Sequence, residues 1–356
     1  MIRERIKKYI FSLRVRHQRK RAIQENMIEK KDVLKNNPTT PEQRKRISNL
    51  YGKYGIKIDY RWFDFYNYIK ESPNDIEYYL PHDIYFNKID PYFSEPFLSK
   101  VIDDKNYYDI YFFDIKRPKT IIRKINGLIL DNQYNIITLD EALSLCRSED
   151  NIIIKPSVMS EGGRGITFWN SKEDDLSVIT NIISSSQNII VSEVVRQCNE
   201  FNKIHASSLN TIRIMTLLIN DEVNIISCIL RMGINGSKLD NASLGGIFCG
   251  INSDGSLKEE AYTISGIKYT AHPQGGILSQ YKVPNFDKCI NIVKSLAPRM
   301  YKYSRLCSWD LCIDENDMPQ LIEVNLSFGG IELHQITNGP IFKNKISEIL
   351  DLVYKK

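Results

Sequence analysis

SWDLCIDENDMPQLIEVNL, residues 308–326, holds two short alternating runs, Trp309–Ile313 and Gln320–Asn325, around the turn-rich segment Asp314-Glu315-Asn316-Asp317-Met318-Pro319. The pattern predicts a β-hairpin with a longer loop. Successive side chains alternate across a strand, so Trp309, Leu311 and Ile313 share one face of the first strand, and Ile322 and Val324 one face of the second. Those faces belong in a core. The opposite faces then carry Asp310 on one strand and Glu323 with Asn325 on the other. Two neighbouring carboxylates repel unless a proton or cation lies between them, and an oxygen-only set suits Mg²⁺, which keeps waters or phosphates in its other positions. Two readings stand at this point: a Mg²⁺-nucleotide site, or a hairpin with one wet, acidic face.

The second informative stretch lies upstream. Asn151–Lys155 reads as a strand ending in Lys155-Pro156, followed by the glycine-rich Ser157–Gly165 (SVMSEGGRG) and a strand Ile166–Trp169. Glycine lets backbone N–H groups approach phosphates closely, although such a cluster also serves as an ordinary hairpin turn. It is neither a Walker A loop nor a Rossmann turn, because GxxxxGK[ST] and GxGxxG are both missing. Lys155 could bring a point charge to the same phosphates. A helix to about Ser186 and a strand Ile189–Val195 complete the unit. Arg213 lies in an otherwise apolar, β-branched strand, Thr211–Ile219, where it requires an anion, either a ligand or a salt-bridge partner.

With 356 residues, 42% of them hydrophobic and 26% charged, the chain has the make-up of a globular protein of two or three domain-sized units. It holds no run of ~18 apolar residues of the kind a transmembrane helix needs. The N-terminal apolar run Tyr9–Leu13 is broken by Arg14 and Arg16 and is too short for a signal peptide. Seven cysteines without CxxC spacing or adjacent histidines predict a reducing, cytoplasmic setting and speak against structural zinc. Residues 1–46 carry 15 Lys/Arg and 5 Asp/Glu, so the net charge of +5 belongs to this segment, and the remainder is acidic. The body therefore gives no sign of binding nucleic acid.

Residues 1–35 read as one long basic helix with a ragged apolar stripe, suited to an anionic membrane surface, to a partner, or to packing on its own domain. A loop at Asn36–Pro41 leads to a second helix. Tyr51 to Tyr85 is rich in aromatics, which predicts a core or packing interface, with an acceptor-sugar platform as the alternative. Further on come a helix Asn106–Asp114 and two strands, Thr120–Arg123 and Leu128–Leu130, joined across Ile125-Asn126-Gly127. A short helix follows at Leu139–Leu145. After Arg213 the reading continues with a strand Val223–Arg231, a polar loop Gly233–Gly246 and a strand Ile247–Ile251. Tyr262–Pro284, which contains His272-Pro273, reads as a long surface loop, and Leu326–Pro340 as another, with a final helix Ile341–Tyr354.

Taken in order, Lys105, Lys155, the glycine-rich hairpin (Gly162, Gly163, Gly165), a hinge strand with Glu193, Arg213, and the hairpin of Asp310, Glu323 and Asn325 resemble an ATP-grasp enzyme. More narrowly the chain resembles the sugar-transfer-associated ATP-grasp family. DDKN at 103–106, IIIKPSVMSEGGRGI at 152–166, SLNTIR at 208–213, Asp240-Asn241 with Gly245-Gly246, His272-Pro273, and WD…IEVN at 309–325 carry that resemblance. It departs at Arg196-Gln197-Cys198, where a glutamine followed by histidine is expected.

The resemblance implies an α+β, ATP-grasp fold in which two α+β subdomains clamp ATP. It implies a helical N-terminal region at 1–100, a lid subdomain at 101–200 and a core subdomain at 201–356. It further implies that Lys105 and Lys155 contact phosphates while the loop Ser160–Gly165 closes over them. The backbone of Glu193, Val194 and Val195 would meet adenine, and Glu200 the ribose. Asp310, Glu323 and Asn325 would hold Mg²⁺, Arg213 would face the γ-phosphate, Arg231 would assist, and His272 would act as a base or fill a structural role. The implied activity is an ATP-dependent carboxylate–amine ligase acting on a sugar or sugar acid of a surface polysaccharide or capsule. Its partners would be small carboxylates and amines. A phosphotransferase acting on a sugar hydroxyl, and a nucleotide-binding scaffold held to a membrane glycosyltransferase through residues 1–46, are the alternatives.

Overall fold

The computed structural model describes residues 13, 14, 16, 17, 20, 21, 23, 24, 37–158 and 163–355. The expected helix over 1–35 lies largely outside them, and the residues described within it are helical. Helix α1 (Pro41–Gly52) starts on a capping box: the Thr40 hydroxyl accepts from the Gln43 N–H at 3.2 Å, and the Gln43 amide oxygen accepts from the Thr40 N–H at 2.8 Å. Helix α2 (Arg61–Ile69) buries Trp62, Phe63, Phe65 and Tyr66. With Tyr51, Tyr79 and Tyr85 these form a core rather than a platform.

A five-stranded antiparallel sheet follows, built from β1 (Thr120–Ile125), β2 (Leu128–Asp131), β3 (Asn151–Pro156), β4 (Thr167–Asn170) and β5 (Ile189–Glu193) in the order β2-β1-β5-β3-β4. Asn126 and Gly127, both at positive φ (49° and 87°), make the tight β1–β2 turn. Helices α3 (Leu139–Arg147) and α4 (Leu176–Ser185) cover this sheet through Ala142, Cys146, Ile179 and Ile183.

The larger sheet has seven antiparallel strands in the order β10-β9-β8-β7-β6-β11-β12. They are β6 (Thr211–Ile219), β7 (Glu222–Met232), β8 (Ile247–Ile251), β9 (Leu257–Tyr262), β10 (Lys268–Tyr269), β11 (Leu306–Ile313) and β12 (Pro319–Asn325). One face, with Ile212, Ile214, Leu230, Trp309 and Leu311, packs on helix α5 (Phe286–Leu296). The other, with Met215, Leu217, Phe248 and Tyr262, packs on the N-terminal aromatics and on helices α6 (Glu332–Asn338) and α7 (Ile346–Tyr354).

Several expectations change. The region expected as a surface loop from Tyr262 contains β10 and a buried His272, Leu278 and Val283, and β9 precedes it. The loop expected at Leu326–Pro340 contains α6. The helix expected at Asn106–Asp114 shrinks to a 3₁₀ turn at Lys105–Tyr107 and a short helix at Tyr108–Tyr111, because Tyr108 and Phe112 turn into the core. Neither face of β11 is wet, since all eight of its residues are buried. A β-bulge separates the pairs Asp310↔Glu323 and Leu311↔Leu321, leaving Ile322 as the extra residue. Leu321 therefore joins Val324 in the core in place of the expected Ile322. All seven cysteines are buried and unpaired. No helix among the described residues is long and apolar enough to cross a membrane.

Candidate functional site

The bulged hairpin sets Asp310 directly opposite Glu323, and the neighbouring strand sets Arg213 opposite Asp310, so all three project from one face of the large sheet. Opposed Cβ atoms in such a ladder lie about 5 Å apart. The Arg213 guanidinium donates through Nε and Nη2 to the two Asp310 oxygens, both at 2.7 Å, in a bidentate pair. Arg231, on the far side of β6, lies 3.7 Å from Asp310 and donates at 2.9 Å to the hydroxyl of Thr211, its cross-strand partner. Asp310 is only 2% exposed. Burial pushes its carboxyl up, but Arg213 and Arg231 outweigh burial and hold it below the usual range, so it stays ionised. Burial likewise works against the Arg231 charge, which Asp240 and Asp310 more than restore.

Cations come from β3 of the smaller sheet and from the 3₁₀ turn that docks at its end. The Lys105 backbone N–H is fixed by the Ser157 carbonyl at 2.9 Å, at the end of β3, and its ammonium reaches Glu323 at 2.8 Å. Lys155 is half-buried and electrostatically coupled to Lys105, Glu323 and Asp240. Among the described residues no ion pair or hydrogen bond holds its ammonium. Burial first, then the neighbouring Lys105 charge, pull its affinity for a proton down. An arriving phosphate would reverse the second effect.

Asp240 and His334 are site residues that sequence reasoning passed over as such. Asp240 accepts from the Thr211 hydroxyl and from Arg231 at 3.3 Å, and sits in a loop whose length and polarity carry no periodic signal. His334 was concealed in a segment read as loop. Its Nδ1 lies 2.8 Å from the Ser227 hydroxyl and its Nε2 is buried without a partner. Burial, then Arg213, push it down to about 3, so the ring is neutral near pH 7. Counted together, Lys105, Lys155, Arg213 and Arg231 face the carboxylates of Asp240, Asp310 and Glu323. Asp103 borders the same group: burial raises its carboxyl to about 6 against the pull of Lys100 and Lys105, so near pH 7 it offsets the remaining positive charge.

The glycine hairpin meets this cluster from the smaller sheet. Ser160 and Gly162 lie outside the described residues. Gly163 and Gly165 adopt φ of +76° and +74°, and a Cβ on Gly165 would stand 2.9 Å from Cγ of Pro156. Leu239, next to Asp240, comes within 3.0 Å of where a Cβ on Gly163 would be, and Lys238 lies 5.5 Å over the Phe168 ring of β4. The loop of Asp240 thus bridges the two sheets beside the charge cluster.

The remaining expected residues are not drawn into the cluster. Glu193 accepts from the Lys119 N–H at 2.9 Å, and the N–H groups of Glu193 and Val194 donate to the Lys119 and Asn151 carbonyls at 3.0 and 3.3 Å. The connection continues through a Gln197–Asp314 bridge into the turn of the β11–β12 hairpin, so the altered Arg196-Gln197-Cys198 segment is held by that turn. Glu200 is half-buried and pairs with Lys203 at 3.3 Å. His272 is 2% exposed, with Nε2 2.8 Å from the Gly233 carbonyl and Nδ1 accepting from the Gln274 N–H at 3.1 Å. Both ring nitrogens are engaged, so the structural role replaces the expected base.

Asp310, Glu323 and Asn325 offer oxygen donors on one face, and the buried Nδ2 of Asn325 has no partner. The open N–H of that amide calls for an acceptor, such as an oxygen of an arriving phosphate, and leaves the amide oxygen as the group that could face a cation. No group of three or more His, Cys, Asp or Glu of metal-site geometry occurs among the described residues, so a third donor here would be the amide oxygen, consistent with a hard cation.

A family model described as sugar-transfer associated ATP-grasp matches residues 90–350. No curated protein matches the sequence. Similar solved structures include D-alanyl-alanine synthetase A from Vibrio cholerae O1 biovar eltor, 14% identical with a TM-score of 0.40, covering 75% of this chain and 65% of that one. An L-amino acid ligase from Bacillus licheniformis is 12% identical with a TM-score of 0.41, covering 70% and 47%. N5-carboxyaminoimidazole synthetase from Staphylococcus aureus, in complex with ADP, is 11% identical with a TM-score of 0.36, covering 65% and 45%. The chain thus spans between 45% and 65% of the length of these three.

Proposed function

Because this chain belongs to the sugar-transfer associated ATP-grasp family, we propose that it is an ATP- and Mg²⁺-dependent carboxylate–amine ligase whose carboxylate or amine is borne by a sugar or sugar acid. The observation that carries this reading is the pairing of each hairpin carboxylate with a cation whose natural alternative partner is phosphate: Asp310 with Arg213, and Glu323 with Lys105. Such ion pairs are exchangeable placeholders. On entry of a nucleoside triphosphate Arg213 and Lys105 would transfer to its oxygens, and Asp310, Glu323 and Asn325 would be left to hold the metal. Mg²⁺ bound there supplies charge neutralisation and polarisation at the γ-phosphate.

The chain's own residues do the rest by position and charge. Lys155 and Arg231 add positive charge around the transferring group, and Asp240 with Thr211 orients Arg231. A substrate carboxylate oxygen attacks the γ-phosphorus, ADP leaves, and an acyl phosphate forms. The amine nitrogen then adds to the acyl carbon, phosphate departs, and the amine loses its proton to solvent. Arg213 and Arg231, both beside Asp310, would neutralise the oxyanion of that addition.

Incubation with Mg²⁺-ATP and pooled sugar acids and amines should release ADP and phosphate only when both substrate classes are present. Phosphate release that ignores the amine would overturn the ligase reading, and ADP formed with a phosphorylated sugar and no free phosphate would overturn it in favour of phosphotransfer. Glu323→Gln keeps a hydrogen bond to Lys105 but removes the charge, and turnover should fall at least ~100-fold with the fold intact by circular dichroism. Full activity in that variant would defeat the metal assignment.

A further inference from the structure

The aromatic-rich N-terminal segment touches the site through the loop that follows β12. The Tyr85 hydroxyl, in a side chain 1% exposed, donates to the Gly329 carbonyl at 2.6 Å. The Phe328 N–H donates to Asp90, itself 1% exposed, at 3.3 Å. Phe328 is held at φ +59°, a strained conformation for a bulky residue that persists only where its surroundings enforce it. Gly329 is pressed so closely on β11 that a Cβ would stand 2.6 Å from the Ser308 hydroxyl. Ser308 is the cross-strand partner of Asn325. Between Asn325 and the pinned Gly329 the chain is anchored by Leu326, which is fully buried.

From this chain of contacts we infer that Tyr85 is a positioning residue for the metal site: it clamps Gly329 onto Ser308 and so fixes where the end of β12 presents Asn325. Asn325 has no partner at Nδ2, so backbone placement rather than a side-chain hydrogen bond sets the direction of its amide. Residues before 90 lie outside the matched family region, yet one of them braces the loop that follows Asn325. The inference rests on the metal reading proposed above.

Tyr51 provides the control. It lies in the same aromatic core, and its hydroxyl donates to the Tyr79 carbonyl at 2.8 Å, away from the loop. Mn²⁺ binding at saturating ADP, followed by electron paramagnetic resonance, should weaken about tenfold in Tyr85→Phe, the scale seen when the support of a metal ligand is removed, and stay within about twofold of wild type in Tyr51→Phe. Both variants should lose thermal stability, since each gives up a buried hydroxyl and the carbonyl it donates to. Amide exchange across residues 326–331 should accelerate in Tyr85→Phe alone. Equal Mn²⁺ affinity in the two variants, or unchanged exchange in that loop, would overturn the inference while leaving the metal site standing. Failure of the wild-type protein to bind Mn²⁺ with ADP would overturn the metal site and the inference together.

Discussion

Arg213 illustrates what a single residue can and cannot announce. An arginine among β-branched residues demands an anion, and the demand is met bidentately by Asp310, but whether a ligand takes over depends on charges that only the assembled sheet brings near. Asp314, in the hairpin turn, makes a cleaner case for measurement. Burial opposes its ionisation, but the Lys116 ammonium, the Gln320 amide and the N–H groups of Met318 and Asn316 win, and its carboxyl is held at about 2 against an ordinary 3.8. A depressed carboxylate contributes stability that is present above the unfolded value and is lost as the pH falls through the folded one. The contribution, on the order of 2 kcal/mol, should therefore fade between about pH 4 and pH 2. In urea unfolding as a function of pH, Asp314→Asn should lower stability by this order at pH 7 and flatten that acid limb. An unchanged limb would show that the turn does not depend on the charge.

The hairpin and the glycine loop were legible as elements because each carries a local signal, alternation in one and clustered glycine in the other. Their details were not. The bulge at Ile322 exchanges which residue of β12 enters the core, a choice made by the packing of Leu321 and Val324 under Trp309 and Leu311. Strand β9 (LKEEAY) escaped notice because Lys258-Glu259-Glu260 breaks its alternation, and the seven-residue α6 is too short for a helical period to show. In the glycine loop, Gly165 combines a positive φ with the close approach of Pro156. Gly165→Ala should weaken ADP binding about tenfold in calorimetric titration, because a Cβ there meets both a conformational penalty and a contact too short to keep. Wild-type affinity in that variant would mean that this turn does not need to hold its shape over the phosphates.

At the scale of the molecule, the N-terminal region is part of the folded body rather than an appendage. Gln335 of α6 exchanges hydrogen bonds of 2.8 and 3.0 Å with the Leu80 backbone and donates to the Tyr66 hydroxyl at 2.8 Å. Asn37 and Asn67 each donate a side-chain amide to the other's carbonyl at 3.2 Å, and the Thr39 N–H and hydroxyl donate to the buried Asp64 carboxylate at 2.7 and 2.8 Å. A deletion of residues 1–40 removes the Asn37 and Thr39 donors and the Thr40 cap, whereas a deletion of residues 1–36 keeps them. The longer deletion should be less stable than the shorter by about 2 kcal/mol in denaturant unfolding, and equal stabilities would show that Asp64 finds other partners. The sequence alone determined the succession of charged and glycine-rich elements, the membership of the family and the hairpin that sets two carboxylates face to face, because alternation and turn chemistry act within a few residues. The tertiary structure decided that Asp310 is buried and Glu323 half-buried, both already paired, that Asp240 and His334 join them, that His272 does not, and that Tyr85 reaches the loop beside Asn325. Each of those outcomes depends on contacts between residues tens to hundreds of positions apart, which no local pattern encodes.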